Sequence, residues 1–201
     1  MSPDALAEAR GRLEALRAVE NPLELQLRAA AVLSRVLGDF GEPVVVGGSA
    51  VSFYTGGAYL SRDVDLVAHA EPAVLRERLE AVGFERRGSA WVHRELDVVV
   101  DFPTPPLAGD YSRVVHVHTE DGPVTVIGLE DLLVDRLNAA VHWNDAEARE
   151  WCVTMLAVHR DVDLEYLERR ASEEGLGEAL RAVRQDAEAL ASEGSFQEES
   201  R

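Results

Sequence analysis

The sequence predicts an α/β fold of the α+β type, with a mixed β-sheet flanked by N-terminal helices and followed by a C-terminal helical region. Leucine and alanine recur at helical spacing at the start of the chain, and helical spacing returns after Gly128. Between these stretches lie short apolar runs bounded by glycine and proline, which are typical of strands. We therefore expect two regions, residues 1–128 containing the sheet and residues 129–201 forming helices packed on it.

The elements follow from local patterns, taken in chain order. Asn21-Pro22 divides the first helical stretch, as an N-cap and a first-turn proline would. Turn residues at Gly88-Ser89 and at 120–123 predict two hairpins. The predicted strands are 44–46, 62–68, two or more within 84–103, 113–118 and 124–127. The predicted helices are two within 4–36, then 50–54, 72–82, 129–141, 145–159, 164–171 and 176–190.

Composition excludes several classes of protein. The chain has 201 residues, of which 46% are apolar, and a single cysteine, so it is neither disordered nor built on disulfides. It lacks an N-terminal apolar signal and any run of roughly 18 apolar residues, so we expect a cytoplasmic protein without a membrane partner. Its net charge of -17 argues against duplex DNA as a partner. All 20 cationic residues are arginine, which excludes a Walker A lysine and Schiff-base chemistry.

A glycine-rich turn is the first candidate site. Gly47-Gly48-Ser49 follows a predicted buried strand and precedes a short helix, a place where backbone N–H groups bind phosphate. Glycine permits close approach of the phosphate, and Ser49 is expected to cap the helix and to offer its hydroxyl to a phosphate oxygen. A plain tight turn with an N-cap remains the alternative.

Acidic residues on two strands are the second candidate site. Asp63 and Asp65 alternate along one predicted strand and therefore share a face, where a divalent metal would relieve their repulsion. Asp97 and Asp101 share a face of a later predicted strand, and one of them would complete a three-carboxylate site. The alternative is that these acids lie at solvated strand ends and edges.

Together these features resemble the signature of the DNA polymerase beta-like nucleotidyltransferase superfamily: the glycine-serine turn, 13 intervening residues, an Asp-x-Asp strand and a further acidic strand. The resemblance covers about residues 44–102. It implies that Gly48 and Ser49 bind the triphosphate of a nucleoside triphosphate. It also implies that three carboxylates, Asp63, Asp65 and a third, hold two Mg²⁺ ions, with Mn²⁺ as a substitute.

A second resemblance concerns the third acid. The segments VDFPTPPLAGD and LEDLLVDRLNAAVHWNDAEA are similar to a group of bacterial nucleotidyltransferase-like proteins with an acid before Phe-Pro. This resemblance favours Asp101, and Asp97 stays open. In the second segment, Arg136 is a candidate phosphate contact, as is Arg62 upstream, and Trp143 is a candidate base contact. The alternative is a surface pair of Asp135 with Arg136, a core Trp143 and an N-cap at Asn144.

The function expected from the resemblance is metal-dependent nucleotidyl transfer. A nucleoside monophosphate group would pass from a nucleoside triphosphate to a hydroxyl of RNA, protein or a small molecule, and pyrophosphate would leave. Two other functions remain open. One is a non-catalytic nucleotide-binding or toxin-antitoxin module with the same fold, and the other is a metal-dependent phosphohydrolase, since grouped aspartates also activate water.

Overall fold

A computed structural model of the chain describes residues 1–198, and the end of the predicted helical region, 199–201, lies outside the described residues. The chain divides into two compact units, Met1–Ile127 and Gly128–Arg201. The predicted change of pattern falls one residue after this division. Across the described part of the chain, none of the helices combines the length and the hydrophobicity that crossing a membrane requires.

The first unit contains a mixed β-sheet and four helices within its described residues. The helices are α1 (Pro3–Ala15), α2 (Pro22–Leu37), α3 (Gly47–Tyr54) and α4 (Pro72–Ala81). The strands are β1 (Val44–Val45), β2 (Val64–Val67), β3 (Glu85–Arg87), β4 (Ala90–His93), β5 (Val98–Asp101), β6 (Val115–Thr119) and β7 (Gly122–Val126). Short 3-10 turns lie at Leu16–Ala18 and Tyr111–Arg113. The predicted fold class is thereby confirmed.

The sheet has the strand order β3-β4-β5-β2-β1-β7-β6. Its centre is mixed, because β2 runs parallel to β5 but antiparallel to β1, while β1 runs parallel to β7. The two predicted hairpins form its edges, β3-β4 continuing antiparallel into β5 on one side and β6-β7 on the other. Because β2 and β5 are parallel neighbours, corresponding ends of the two acidic strands meet at the same edge of the sheet.

Local sequence accounts for the helix starts. The side chain of Asn21 accepts a hydrogen bond from Glu24 N at 3.1 Å, and Pro22 occupies the first turn of α2, as predicted. The helix α3 begins earlier than predicted, at Gly47, and its N-cap is Val46 without a side-chain hydrogen bond. The predicted N-cap role of Ser49 is therefore wrong, because Ser49 lies inside the first turn.

The core of the first unit joins α2 to the sheet. Burial of each large apolar side chain contributes about 1.5–3 kcal/mol relative to exposure. Alternation along β2 buries Val64 and Leu66, and along β5 it buries Val98 and Val100. The same alternation leaves Asp65 and Asp101 on positions that are only half-buried. The packing of the valines and leucines thus fixes which face the acids occupy.

The second unit is helical throughout its described elements, as predicted. Its helices are α5 (Leu129–His142), α6 (Ala146–Val158), α7 (Leu164–Glu173) and α8 (Gly177–Glu198). Inside it, the buried carboxylate of Asp131 accepts a hydrogen bond from Tyr166 Oη at 2.8 Å. Cys152 is buried as predicted, and burial raises the pKa of its thiol to about 12. This thiol is a core group without thiolate chemistry near neutral pH.

At the end of α5, the structure contradicts the interpretation that placed Trp143 in the core and an N-cap at Asn144. Trp143 is 81% exposed, so its assignment to the core is wrong. Asn144 has a left-handed φ of 55°, and the N-cap of α6 is Asp145, whose side chain accepts from Ala148 N. Asn144 is therefore the residue that reverses the chain between α5 and α6, a conformation that asparagine tolerates well.

Candidate functional site

The two acidic strands bring their carboxylates together through the register of the sheet. In the parallel pairing of β2 with β5, Asp65 lies directly opposite Asp101. Asp63 immediately precedes β2, two residues before Asp65 and on the same side of the chain. Three of the predicted acids, Asp63, Asp65 and Asp101, therefore cluster at one edge of the sheet. We call these three residues the carboxylate cluster.

The first turn of α3 lies against this cluster. Gly48 N donates a hydrogen bond to Asp65 Oδ2 at 3.1 Å, and Val46 N donates to the backbone oxygen of Asp65 at 3.0 Å. Gly47 has a φ of 56°, and a Cβ added there would lie 2.5 Å from Asp65 Oδ2. Glycine is therefore required at residue 47 both by its backbone conformation and by the closeness of the carboxylate.

The side chain of Ser49 joins the first turn of α3 to the backbone of Asp63 and Asp65. Its side chain is buried, and its hydroxyl donates to the backbone oxygen of Asp63 at 2.8 Å while accepting from Asp65 N at 2.9 Å. The only proton of the hydroxyl is thus used within the protein. The predicted hydroxyl contact with phosphate is not available in this arrangement, and the backbone amide of Ser49 in the first turn of α3 is the group that stays a candidate.

The cluster carries uncompensated negative charge. Burial, together with the nearby charge of Asp63 and to a lesser extent of Asp101, raises the pKa of Asp65 to about 6. The hydrogen bonds from Ser49 N–H and Gly48 N–H groups oppose this rise. The effects of burial and of the like charges on this pKa outweigh those of the hydrogen bonds. The site therefore favours a cation that would neutralise the carboxylates.

Asp97 lies at the other end of β5. It closes the turn 94–97 before the strand and has a left-handed φ of 53°. Asp101 lies four residue steps further along the chain, a span of about 13 Å in extended conformation. The structure therefore places Asp101, and not Asp97, beside Asp65. The sequence suggested a shared face because it gave no sign that the strand begins only at Val98.

A divalent cation fits the cluster in chemistry, although the side chains do not close on an ion. Carboxylate oxygens are the ligands that Mg²⁺ prefers, and a cation would neutralise the charges of Asp63 and Asp101 that, after burial, raise the pKa of Asp65. Among the side chains of residues 1–192, no three His, Cys, Asp or Glu residues are already arranged around one point as metal ligands. Asp65 Oδ2 accepts from Gly48 N and Asp101 Oδ1 accepts from Phe102 N, and each ionised carboxylate has further lone pairs with which to bind a cation.

The two predicted phosphate contacts differ in their surroundings. Arg62 is exposed, immediately precedes Asp63, and forms no ion pair with any described residue. Arg136 belongs to the second unit and donates from Nε and from Nη2 to Asp135 Oδ2, at 3.0 and 2.6 Å. Arg136 therefore forms the pair with Asp135 that the sequence offered as an alternative. Its role toward phosphate stays a prediction.

Two serines and a glutamine near the cluster were not expected. Ser61 Oγ donates to Asp63 Oδ1 at 3.0 Å, and Ser52 Oγ accepts from Ser61 N at 2.9 Å. Gln26 Nε2 donates to the backbone oxygen of Ser61 at 2.7 Å. One signal was present in the sequence, since Ser61 precedes Asp63 by two residues and so shares its side of an extended chain.

Comparison with known proteins places the fold among nucleotidyltransferase-like structures. No family model matches the chain, and no curated protein matches it. An antigenic nucleotidyltransferase-like protein from Paracoccidioides brasiliensis is similar in structure, with a TM-score of 0.54 at 14% identity, over 81% of this chain and 94% of the other. At this identity the similarity shows the fold alone, and membership of a bacterial group stays a prediction.

Two further solved structures are more distant. The antibiotic-resistance factor ANT(2'')-Ia has a TM-score of 0.37 at 14% identity, over 79% of this chain and 88% of the other. JHP933 from Helicobacter pylori has a TM-score of 0.42 at 14% identity, over 100% of this chain and 97% of the other. Scores this low carry no conclusion about the present chain.

Proposed function

We propose that this chain, which has a nucleotidyltransferase-like fold, transfers a nucleotidyl group from a nucleoside triphosphate to an acceptor hydroxyl and releases pyrophosphate. One observation carries the proposal. Asp101 is the register partner of Asp65, and Asp65 is hydrogen-bonded to the glycine turn at the start of α3. A phosphate-binding backbone and a set of acids therefore meet at one place, which is the combination that phosphoryl chemistry needs.

The triphosphate end of the donor would lie at the first turn of α3. The amide groups of Gly47, Gly48 and Ser49 lie in this turn, where N–H groups have no acceptor within the helix. The Gly48 and Ser49 N–H groups now donate to the Asp65 carboxylate, and phosphate oxygens would compete for them. Arg62 is exposed beside the cluster and would supply positive charge to the same phosphates.

The three acids would bind metal ions and accept a proton. Asp63 and Asp65 would hold divalent cations together with the phosphates, and Asp101 would complete the set and receive the proton of the acceptor hydroxyl. When bound, Mg²⁺ or Mn²⁺ would neutralise charge on the phosphates and lower the pKa of the acceptor. The proton would pass to the Asp101 carboxylate, whose Oδ1 also accepts a hydrogen bond from Phe102 N at 3.0 Å.

A non-catalytic nucleotide-binding protein is the second candidate, because the three carboxylates are not arranged around a common point among the described residues. The test uses a triphosphate labelled on the α-phosphate, Mg²⁺ or Mn²⁺, and separate acceptor mixtures of RNA, protein and small molecules. Label that appears on one acceptor, with pyrophosphate released in equal amount, supports transfer. Free phosphate alone indicates a phosphohydrolase, and nucleotide binding without turnover indicates a binding module.

A further inference from the structure

We propose that Ser61 is a positioning residue, whose buried hydroxyl orients the carboxylate of Asp63 for metal binding; the inference rests on the proposed function. Ser61 is 8% exposed and lies in the irregular segment 59–63 between α3 and β2. Its hydroxyl donates to Asp63 Oδ1 at 3.0 Å. This is the one side-chain hydrogen bond to the Asp63 carboxylate among the described residues.

The backbone of this segment is held by side chains rather than by a neighbouring strand. Tyr59 N donates to Thr55 Oγ1 at 3.2 Å, and Ser61 N donates to Ser52 Oγ at 2.9 Å. The backbone oxygen of Ser61 accepts from Gln26 Nε2 at 2.7 Å. Polar backbone groups that leave a sheet must find such partners when they are buried. Ser61 is consequently fixed at both its N–H and its C=O group.

The hydroxyl itself has a defined place. A Cβ added to Gly48 would lie 2.8 Å from Ser61 Oγ, so the absence of a side chain at Gly48 leaves room for this hydroxyl. Ser52, which is fully buried, donates from Oγ to the backbone oxygen of Gly48 at 3.1 Å. The same serine that binds Ser61 N therefore also binds the glycine turn. Ser61 and the glycine turn therefore belong to one hydrogen-bond network.

The Asp63 carboxylate needs to be held in place because the nearby charge of Asp65 repels it. Asp63 lies two residues before Asp65 on the same side of an extended chain, so the two carboxylates are close enough to repel each other. An unrestrained Asp63 side chain would turn away from Asp65 to reduce this repulsion. The Ser61 hydrogen bond opposes such a turn and keeps Asp63 in the cluster. Loss of a partner that orients a metal ligand costs 10–100-fold in metal affinity as an order-of-magnitude estimate.

The test compares Ser61→Ala with Ser61→Thr, which keeps the hydroxyl, and with Ser34→Ala as a matched control. Ser34 Oγ is inaccessible to solvent and has no hydrogen-bond partner among the described residues. Mn²⁺ binding is measured by electron paramagnetic resonance with the nucleotide absent, after circular dichroism shows that each variant is folded. We expect about tenfold weaker Mn²⁺ binding in Ser61→Ala, and near wild-type binding in Ser61→Thr and Ser34→Ala.

Crystal structures of the wild-type and Ser61→Ala proteins supply a second readout that does not involve metal. We expect the Asp63 carboxylate to leave its position beside Asp65 in Ser61→Ala. An unchanged Asp63 side chain, or Mn²⁺ binding that survives Ser61→Ala, overturns the inference while leaving the proposed function intact. A wild-type protein that binds no Mn²⁺ with or without nucleotide contradicts both.

Discussion

Asp65 and Asp101 lie directly opposite each other on adjacent parallel strands, β2 and β5. Two carboxylates at such a position repel each other unless a cation or a proton intervenes. Burial, then the charge of Asp63 and last that of Asp101 raise the pKa of Asp65 to about 6. Neither strand requires an acid for its packing, since Val64 and Val100 supply the buried contacts. The acids therefore add little to the packing of these strands, and we propose that cation binding is the role they serve.

The identity of the third acid is tested by Asp101→Asn against Asp97→Asn. Asp101→Asn is expected to reduce nucleotidyl transfer by at least about 100-fold, because it removes the proposed ligand and proton acceptor opposite Asp65. Asp97→Asn is a matched control, since asparagine tolerates the left-handed backbone at residue 97. Transfer rates of the two variants are compared at saturating triphosphate. Loss of activity in Asp97→Asn alone would reverse the assignment.

The glycine turn is tested by Gly47→Ala against Gly56→Ala. Both glycines have nearly the same positive φ, 56° and 59°, so an alanine at either residue costs about 1 kcal/mol of backbone strain. Only at residue 47 would the added Cβ meet a carboxylate, because nothing lies within 4 Å at Gly56. Isothermal calorimetry with a nonhydrolysable triphosphate should show lost binding in Gly47→Ala and retained binding in Gly56→Ala. Equal affinities would remove the turn from the site.

Metal-free stability is expected to rise in Asp65→Asn. The pKa of Asp65 is raised to about 6 in the folded state, so its contribution to stability is full below the unfolded value of 3.8 and is lost as pH rises through 6. At pH 8 in EDTA, removal of the charge should stabilise the protein by on the order of 1–2 kcal/mol in urea unfolding. Below pH 4 the gain should vanish. A destabilised Asp65→Asn protein at pH 8 would contradict this account.

A separate pH effect is expected from His93. This side chain is 3% exposed, its Nδ1 has no partner among the described residues, and burial with the nearby charge of Arg17 lowers its pKa. The folded state therefore favours the neutral form of this imidazole. Its contribution to stability is lost as pH falls from its unfolded pKa of 6.5 toward the lower folded value.

The measurement is the free energy of unfolding at pH 7.5 and pH 5.5. His93→Gln should flatten the loss of stability between these two values, whereas His142→Gln, at an exposed residue, should leave it unchanged. An identical pH profile in the His93→Gln and wild-type proteins would show that the buried ring does not control this loss.

Much of the fold was predictable because glycine and proline mark its turns. Asn21-Pro22 and Gly88-Ser89 divide elements where the structure divides them. The start of α3 was predicted too late, since Gly47-Gly48 has low helix propensity and the hydrogen bond from Gly48 N to Asp65 Oδ2 is a long-range contact. Trp143 was open between the core and a ligand contact, because its sequence neighbours do not reveal that α5 ends with this side chain exposed.

The site was predictable only in part. Strand alternation places Asp63 and Asp65 on one face from sequence alone, but only the register of β2 with β5 distinguishes Asp101 from Asp97. Ser49 was expected to face phosphate, whereas its hydroxyl binds the backbone of Asp63 and Asp65. Such long-range partners depend on how the strand and the helix meet, which no local pattern specifies.

The most direct test is a crystal structure with Mn²⁺ and a nonhydrolysable triphosphate, with the Mn²⁺ located by anomalous scattering. The account predicts a Mn²⁺ peak bound by Asp63, Asp65 and Asp101, with the phosphates at the amides of Gly47 and Gly48. A triphosphate bound elsewhere, or Mn²⁺ absent from this cluster while the triphosphate is bound, would contradict it.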